Sequence, residues 1–252
     1  NGPITHRNPP NRNGNGPNGW CKNCENWALT VTISRQADHC SDAIGAKPPA
    51  VSRPVILGMT GASGADYGLR LLQCLLDGGW PVQLLLSKAA QIVIHMETDL
   101  RLPGRPGDIQ RVLIDHYRCD PNQLRVYGQD QWTAPPASGS ALAHAMIVCP
   151  CTTGALAAIA NGNSDNLLER AADVSLKEGR KLILVLRETP LSVIHLENML
   201  RLARAGAVIL PANPGFYYRP TTAAQLVDFI VARILDQLAI PHTLLPRWGE
   251  DG

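Results

Sequence analysis

The sequence predicts an α/β fold built on one doubly wound parallel sheet. Three observations point there. From Pro54 onward, short apolar runs alternate with segments whose apolar residues recur at helical spacing, the pattern of repeated strand–helix units. A Gly-rich turn, Gly58-Met-Thr-Gly61-Ala-Ser-Gly64-Ala-Asp-Tyr-Gly68, joins the first apolar run to the first helical segment. Hydroxyl-bearing and charged residues follow the apolar runs directly, at the strand ends where such sheets bind ligands.

Taken in order, Val55–Met59 is an apolar run of strand length and reads as a buried parallel strand. Tyr67–Leu76 carries apolar residues at helical spacing and reads as a helix. Val82–Leu86 is the second strand, followed by helices over Lys88–Met96 and Ile109–His116. Ala145–Cys149 is the third strand, with helices over Gly154–Ala160 and Leu167–Leu176. Leu182–Leu186 is the fourth strand and Ser192–Ala205 its helix. Ala207–Leu210 is the fifth strand, and Ala223–Leu238 closes the series as a helix. Between them, Trp132–Ser140 has no period and reads as a long loop. Such loops inside compact domains are usually functional or disordered.

Of the 252 residues, 45% are hydrophobic, enough for one sizeable core. A formal net charge of +2 gives no bulk electrostatic case for nucleic acid or a membrane surface. No apolar run approaches the roughly 18 residues of a membrane span. The first residues lack the apolar run of a secretory signal, so a cytoplasmic protein is expected. Seven cysteines scattered over this length are not a disulfide framework, and Cys74 and Cys149 read as buried thiols. Cys21-x-x-Cys24 with His39 and Cys40 has poor zinc-finger spacing, so no metal is expected. Residues 1–52, rich in Asn, Gly and Pro, read as a flexible extension, and residues 53–252 as the folded domain.

The first turn has the spacing G-x-x-G-x-x-G. It is neither the dinucleotide G-x-G-x-x-G nor a P-loop with its Lys. Free backbone N–H groups and the positive end of the helix dipole suit a phosphate or an anionic ring edge there. The other strand ends carry Ser87-Lys88, Pro150-Cys-Thr-Thr-Gly154, Arg187-Glu-Thr-Pro190 and Pro211–Arg219. Together these outline a site for a phosphate and a polar ring. They contain no His, no Ser-His-Asp order and no carboxylate cluster.

Ten motifs then occur in one order. They are Gly61-Ala-Ser-Gly-x-x-Tyr-Gly-x-Arg70, Ser87-Lys-Ala-Ala90, Glu97-Thr-Asp99, Trp132-x-Ala-Pro-Pro-Ala-Ser-Gly-Ser140, Cys149-Pro-Cys151, Glu169-Arg-Ala-Ala-Asp-Val174, Leu176-Lys-Glu178, Arg187-Glu-Thr-Pro190, Pro214-Gly-Phe-Tyr217 and Arg247-Trp-Gly-Glu250. With them the chain, from about residue 53 onward, resembles the flavin prenyltransferases of the UbiX type. The resemblance implies a flavodoxin-like (Rossmann-like) enzyme and a homo-oligomer, typically a dodecamer, that binds FMN and needs no metal. Such an enzyme attaches the dimethylallyl group of dimethylallyl phosphate or diphosphate to N5 and C6 of reduced FMN. The prenylated FMN then serves UbiD-type decarboxylases, including those of ubiquinone synthesis.

By the same resemblance, Gly61, Ala62, Ser63, Ser87, Thr152, Thr153, Gly154, Ala155 and Arg187 contact FMN, with Ser63 near the flavin N5. Lys177, Arg187, Tyr217 and Arg233 hold the donor phosphate, with Ser138 and Arg170 nearby; a guanidinium fork suits phosphate oxygens. Glu188 exchanges a proton with that phosphate, and Glu97 handles protons on the flavin side. Trp132 and Trp248 supply aromatic walls for a cation-like prenyl fragment; both equally suit core or subunit-interface anchors. Tyr67 reads as packing. Gly179 stands where members often carry Arg, which is expected to loosen a turn.

Two other functions compete. A flavin-dependent decarboxylase of the related cysteine-decarboxylating type needs a catalytic His, for which the strand-end loops offer no counterpart. A non-catalytic flavin carrier has no use for two carboxylates such as Glu97 and Glu188.

Overall fold

A computed structural model describes residues 53–141 and 143–246. Cys21, Cys24, His39, Cys40, the extension over residues 1–52 and the motif around Trp248 lie outside them. Six parallel strands form one sheet: β1 (Val55–Met59), β2 (Val82–Leu86), β3 (Leu124–Tyr127), β4 (Ala145–Cys151), β5 (Leu182–Leu186) and β6 (Val208–Ile209). Seven helices connect and flank them: α1 (Ala65–Asp77), α2 (Lys88–Glu97), α3 (Pro106–Tyr117), α4 (Thr153–Ala160), α5 (Leu167–Lys177), α6 (Val193–Arg204) and α7 (Ala223–Gln237). All five expected strands and all seven expected helices are present, with no end shifted by more than three residues.

The strand order is β3-β2-β1-β4-β5-β6. Without β3 the remaining five strands have the 2-1-3-4-5 order of the flavodoxin-like sheet. Strand β3 was not expected. Its sequence Leu-Arg-Val-Tyr puts an exposed Arg125 between buried Leu124 and Val126. An edge strand of four half-buried residues carries too short an alternation to stand out.

Two apolar layers sandwich the sheet. Val55, Leu57 and Met59 of β1 face α1, α3 and α7, through Leu71, Leu72, Leu75, Leu113, Ile230 and Leu235. Ile56, Met146, Val148, Leu182 and Leu184 face α4, α5 and α6, through Leu156, Leu168, Ala172 and Leu202. The central strands are therefore buried on both faces, which is why they read as continuous apolar runs.

Helix α1 lies unusually close to the sheet. A Cβ built on Gly68 would stand 2.3 Å from the Cys149 carbonyl oxygen and 2.6 Å from Met59 Cε. The carbonyl belongs to β4 and cannot swing aside as a side chain could. Gly68→Ala is expected to destabilise the fold by about 2–3 kcal/mol, the upper part of the overpacking range. Gly107→Ala, whose Cβ meets open space in the first turn of α3, is expected to stay within about 1 kcal/mol of wild type on the favourable side. Denaturant unfolding of both variants checks the contrast.

Candidate functional site

Strands β1 and β4 are neighbours, yet the chain leaves them toward opposite sides of the sheet. That divergence opens a crevice beyond their carboxyl ends. One buried side chain closes its floor. Thr60 Oγ1 donates to the Pro150 carbonyl at 2.8 Å and accepts from the Thr152 amide at 2.8 Å. The Thr60 amide also donates to Pro150, at 3.1 Å. The loop carrying Gly61, Ala62 and Ser63 is thereby tied to the loop carrying Thr152, Thr153, Gly154 and Ala155.

Three helices start at this edge, and their first amides are used differently. At α1, the Gly64 and Ala65 amides both donate to Glu97 Oε2 at 2.8 Å. The Gly64 backbone is left-handed, with φ 100°, and a Cβ there would also sit 2.8 Å from the Tyr67 ring. The N–H groups expected to stand free at the first turn are thus taken by a carboxylate of α2. At α2, the Ser87 hydroxyl accepts from the Ala90 amide at 2.9 Å. At α4, Thr152 Oγ1 accepts from the Ala155 amide at 3.1 Å. The Thr153 and Gly154 amides, in the first turn of α4, have no intrahelical acceptor. A Cβ on Gly154 would meet only Thr152 Oγ1, 4.0 Å away. This helix end, rather than that of α1, offers amides and space for an anion.

Arg187, at the end of β5, reaches back across the crevice, and its Nε donates to the Ser63 carbonyl at 3.0 Å. No carboxylate among the described residues pairs with it. Glu188 turns elsewhere. It lines a cavity of about 260 Å3 between the ends of β5 and β6, with Thr189, Pro190, Met199, Pro211 and Asn213. Its Oε1 accepts from the Thr189 amide at 3.1 Å. Gly61, Ser63, Ser87, Glu97, Thr152 and Arg187 therefore do converge, with Glu188 one residue beyond.

The remaining predicted residues gather at two other places. Ser138, Arg170 and Lys177 form a cluster around the 132–140 loop. That loop contains a 3-10 turn over Pro135–Ala137 and is pinned by arginines: Arg170 Nε donates to Ala137 O at 3.2 Å, and Arg180 donates to Gly139 O and Ala141 O, each at 2.6 Å. Lys177 pairs with Glu178, whose carboxyl it holds below the usual range, and Arg170 pairs with Asp173. Lys177 ends α5 and precedes β5, whereas Arg187 follows β5. One chain thus holds these two cations at opposite ends of a five-residue strand, about 16 Å apart along it. Tyr217 and Arg233 line a third location, a pocket of about 650 Å3 on α7. Trp132 is 47% exposed.

Gly179 has φ 63°, just past the end of α5. Glycine relaxes this turn rather than loosening it, because any side chain would be strained there. Sequence reasoning also passed over Thr60 as a brace, while Tyr67 packs as expected, its ring against the Gly64 turn. Burial pushes the Tyr67 hydroxyl up, while Arg187 pulls it down. Only the strand-end position of Thr60 signalled its role.

Asp66 lies in the first turn of α1. Burial, and after it the Glu97 carboxylate, push its carboxyl up from the ordinary 3.8. The folded state therefore holds this proton more tightly than the unfolded chain. The contribution to stability is complete below pH 3.8 and is lost as pH rises through the raised value. Asp66→Asn is expected to raise the melting temperature at pH 7, with the gain fading below pH 3.8. Melting curves across pH 3–8 check this.

Residues 47–235 match the Flavoprotein family. The flavin prenyltransferase UbiX of Pseudomonas aeruginosa is 58% identical over 196 residues, covering 78% of this chain and 94% of its own. A crystal structure of a UbiX protein in complex with FMN and dimethylallyl pyrophosphate superposes with a TM-score of 0.71 at 40% identity, covering 79% of this chain and 98% of that one. A dodecameric FMN-dependent UbiX-like decarboxylase of Escherichia coli gives 0.69 at 42% identity, covering 77% and 98%. With its strand order, its crevice and its strand-end residues, the chain belongs to the flavin prenyltransferase family of flavoproteins and is an enzyme of that family.

Proposed function

We propose that this enzyme transfers a dimethylallyl group from dimethylallyl phosphate or diphosphate to N5 and C6 of reduced FMN. The product is the prenylated FMN used by UbiD-type decarboxylases, in a cytoplasmic homo-oligomer. The observation that carries the reading is the crevice itself. The first amides of α4, the hydroxyl residues Ser63, Ser87 and Thr152, and Arg187, which pairs with no carboxylate among the described residues, stand together at the carboxyl edge of the sheet. That donor set fits a flavin mononucleotide: the α4 amides would hold its phosphate, and Gly61, Ala62 and Ser63 would contact its ring.

The reduced flavin, when bound, supplies the electron-rich acceptor positions. The rest falls to the chain. Thr153 and Gly154 hold the flavin phosphate through backbone N–H groups. Ser63 and Ser87 orient the ring. Glu97 receives both α1 amides on Oε2, which leaves Oε1 to exchange a proton on the flavin side. Arg187, Lys177, Tyr217 and Arg233, with Ser138 and Arg170, neutralise the charge that develops on the leaving phosphate. Glu188 exchanges a proton with that phosphate as the carbon–oxygen bond breaks. Trp132 and Trp248 keep water from the prenyl fragment and face it with π-surfaces.

Lys177 and Arg187 cannot meet on one phosphate within one chain. Their separation supports a site shared between copies, and the dodecameric relative agrees with it. The decarboxylase alternative gains nothing from the five described histidines. His95 lies in the last turn of α2, and His116 in that of α3 against Tyr117. His195 sits in the α6 capping box, His144 lies against Trp80 and Leu238, and His242 is held by Asp236. We also propose residues 53–252 as the catalytic domain and residues 1–52 as an extension to it; a family match over residues 47–235 supports the division to within a few residues.

The deciding experiment is anaerobic incubation with reduced FMN and each donor, followed by mass spectrometry of the extracted flavin. A gain of one C5H8 unit is expected; unchanged flavin with binding confirmed turns the assignment to a carrier or a decarboxylase. Glu188→Gln is expected to abolish turnover while FMN still binds, read by flavin fluorescence titration. Lys177→Ala and Arg187→Ala, each inactive alone, are expected to recover about a quarter of wild-type sites when co-assembled in equal amounts, the random-mixing value for a site shared between two copies. No recovery would mean that both residues serve a site within one copy.

A further inference from the structure

Helix α7 ends at Gln237, and the chain reverses through Ala239, whose φ is 54°. Ile240 is buried, and His242 is carried back across the last turn of the helix. Its side chain is 9% exposed. His242 Nε2 lies 3.1 Å from Asp236 Oδ1, while Asp236 Oδ2 accepts from Arg233 Nη1 at 2.7 Å. One carboxylate thus bridges a buried imidazole and an exposed guanidinium. All three side chains, with Tyr217 and Phe229, line the pocket of about 650 Å3.

An ionised carboxylate only accepts, so the shared proton sits on His242 Nε2. Nδ1 is then buried without a partner among the described residues. An aliphatic side chain would fill this place without leaving a polar atom unsatisfied. What the imidazole adds is the Nε2 donor. An exposed Arg–Asp pair one helical turn apart is held weakly on its own. A carboxylate anchored from behind by a buried donor keeps one orientation, and so does the guanidinium in front of it. Asp236 engages Arg233 through Nη1, leaving the rest of the guanidinium to fork onto phosphate oxygens.

We propose that His242 is a positioning residue for the prenyl donor, acting through Asp236 to fix Arg233. This rests on the reading that Arg233 holds the donor phosphate. The role is one of geometry: His242 touches neither the donor nor the flavin.

The test is steady-state kinetics with dimethylallyl phosphate varied at saturating reduced FMN. It compares wild type, Arg233→Ala, His242→Ala, His242→Gln, His242→Asn and the Arg233→Ala/His242→Ala double variant. Melting temperature and assembly size are checked for each. His242→Ala is expected to raise KM for the donor roughly five- to tenfold with kcat within about twofold, the mark of lost binding geometry. His242→Gln, whose amide can reach Asp236, is expected to restore most of the loss, and the shorter His242→Asn is not. The double variant is expected to be no worse than Arg233→Ala, because His242 acts through the same group. If the alanine variant fails to assemble, the Gln and Asn pair decides. A raised KM in Arg233→Ala with an unchanged KM in His242→Ala overturns the role of His242 and leaves the phosphate site standing. Equal losses in the Gln and Asn variants, or a fall in kcat alone, also overturn it. An unchanged KM in Arg233→Ala removes the assignment of Arg233, and the proposal with it.

Discussion

The Thr60 hydroxyl is the contact on which the site depends. It is buried at the end of β1, donates to Pro150 of β4 and accepts from the amide of Thr152, the residue that caps α4. Parallel pairing alone aligns β1 with β4 only as far as Val148. Beyond that the β4 register against β5 shifts between Val148 and Cys151, and the sheet no longer dictates where the next loop goes. Thr60 takes over there. A valine of the same shape would leave the Thr152 amide and one Pro150 lone pair unsatisfied in a dry crevice, at about 1–3 kcal/mol each. It would also release the N-terminus of α4, whose amides are the best anion site at this edge.

The fold was legible because burial on both faces writes continuous apolar runs, and helices covering a sheet write a 3.6-residue period. Leu124–Tyr127 escaped because an edge strand has one wet face and only four residues. The site was half legible. Strand-end position alone brought out Ser63, Ser87, Thr152 and Arg187. It could not reveal that Glu97, at the far end of α2, satisfies the first turn of α1, since that contact spans 33 residues with no local signature. Nor could it place Lys177 at the opposite end of β5 from Arg187. Motif order lists these residues together, and it carries no information about which end of the sheet each one occupies.

The 132–140 loop illustrates the same limit. Its Pro, Ser and Gly content reads as a segment without structure. Yet Arg170 and Arg180 satisfy two of its carbonyls and that of Ala141 just beyond it, and the arginines come from α5 and the turn after it. A built Cβ on Gly139 would lie 2.2 Å from Glu178 Oε1 and 3.0 Å from Lys177 Nζ. The loop backbone therefore runs close against an ion pair, and a side chain at position 139 would have to displace the flexible ends of Glu178 and Lys177. Order here is tertiary, and no window of the sequence contains it.

The cations assigned to the donor phosphate share a further constraint. Arg170, Lys177 and Arg233 each carry a carboxylate neighbour on the same helix or just past its end, Asp173, Glu178 and Asp236. Gathering several bare cations around a small volume would be costly before any ligand arrived. Local carboxylates remove that cost and hold the long side chains extended. These pairs are at least a third exposed, so each is worth only about 0.2–1 kcal/mol. A hydrogen bond from the same cation to a phosphate oxygen contributes about 1.5–3 kcal/mol, which is enough to win the cation from its partner or to share it. Arg187, which pairs with no carboxylate among the described residues, is the exception. On the proposed reading that these cations hold the donor phosphate, the site is stable when empty and gains most of its charge complementarity only when the phosphate arrives.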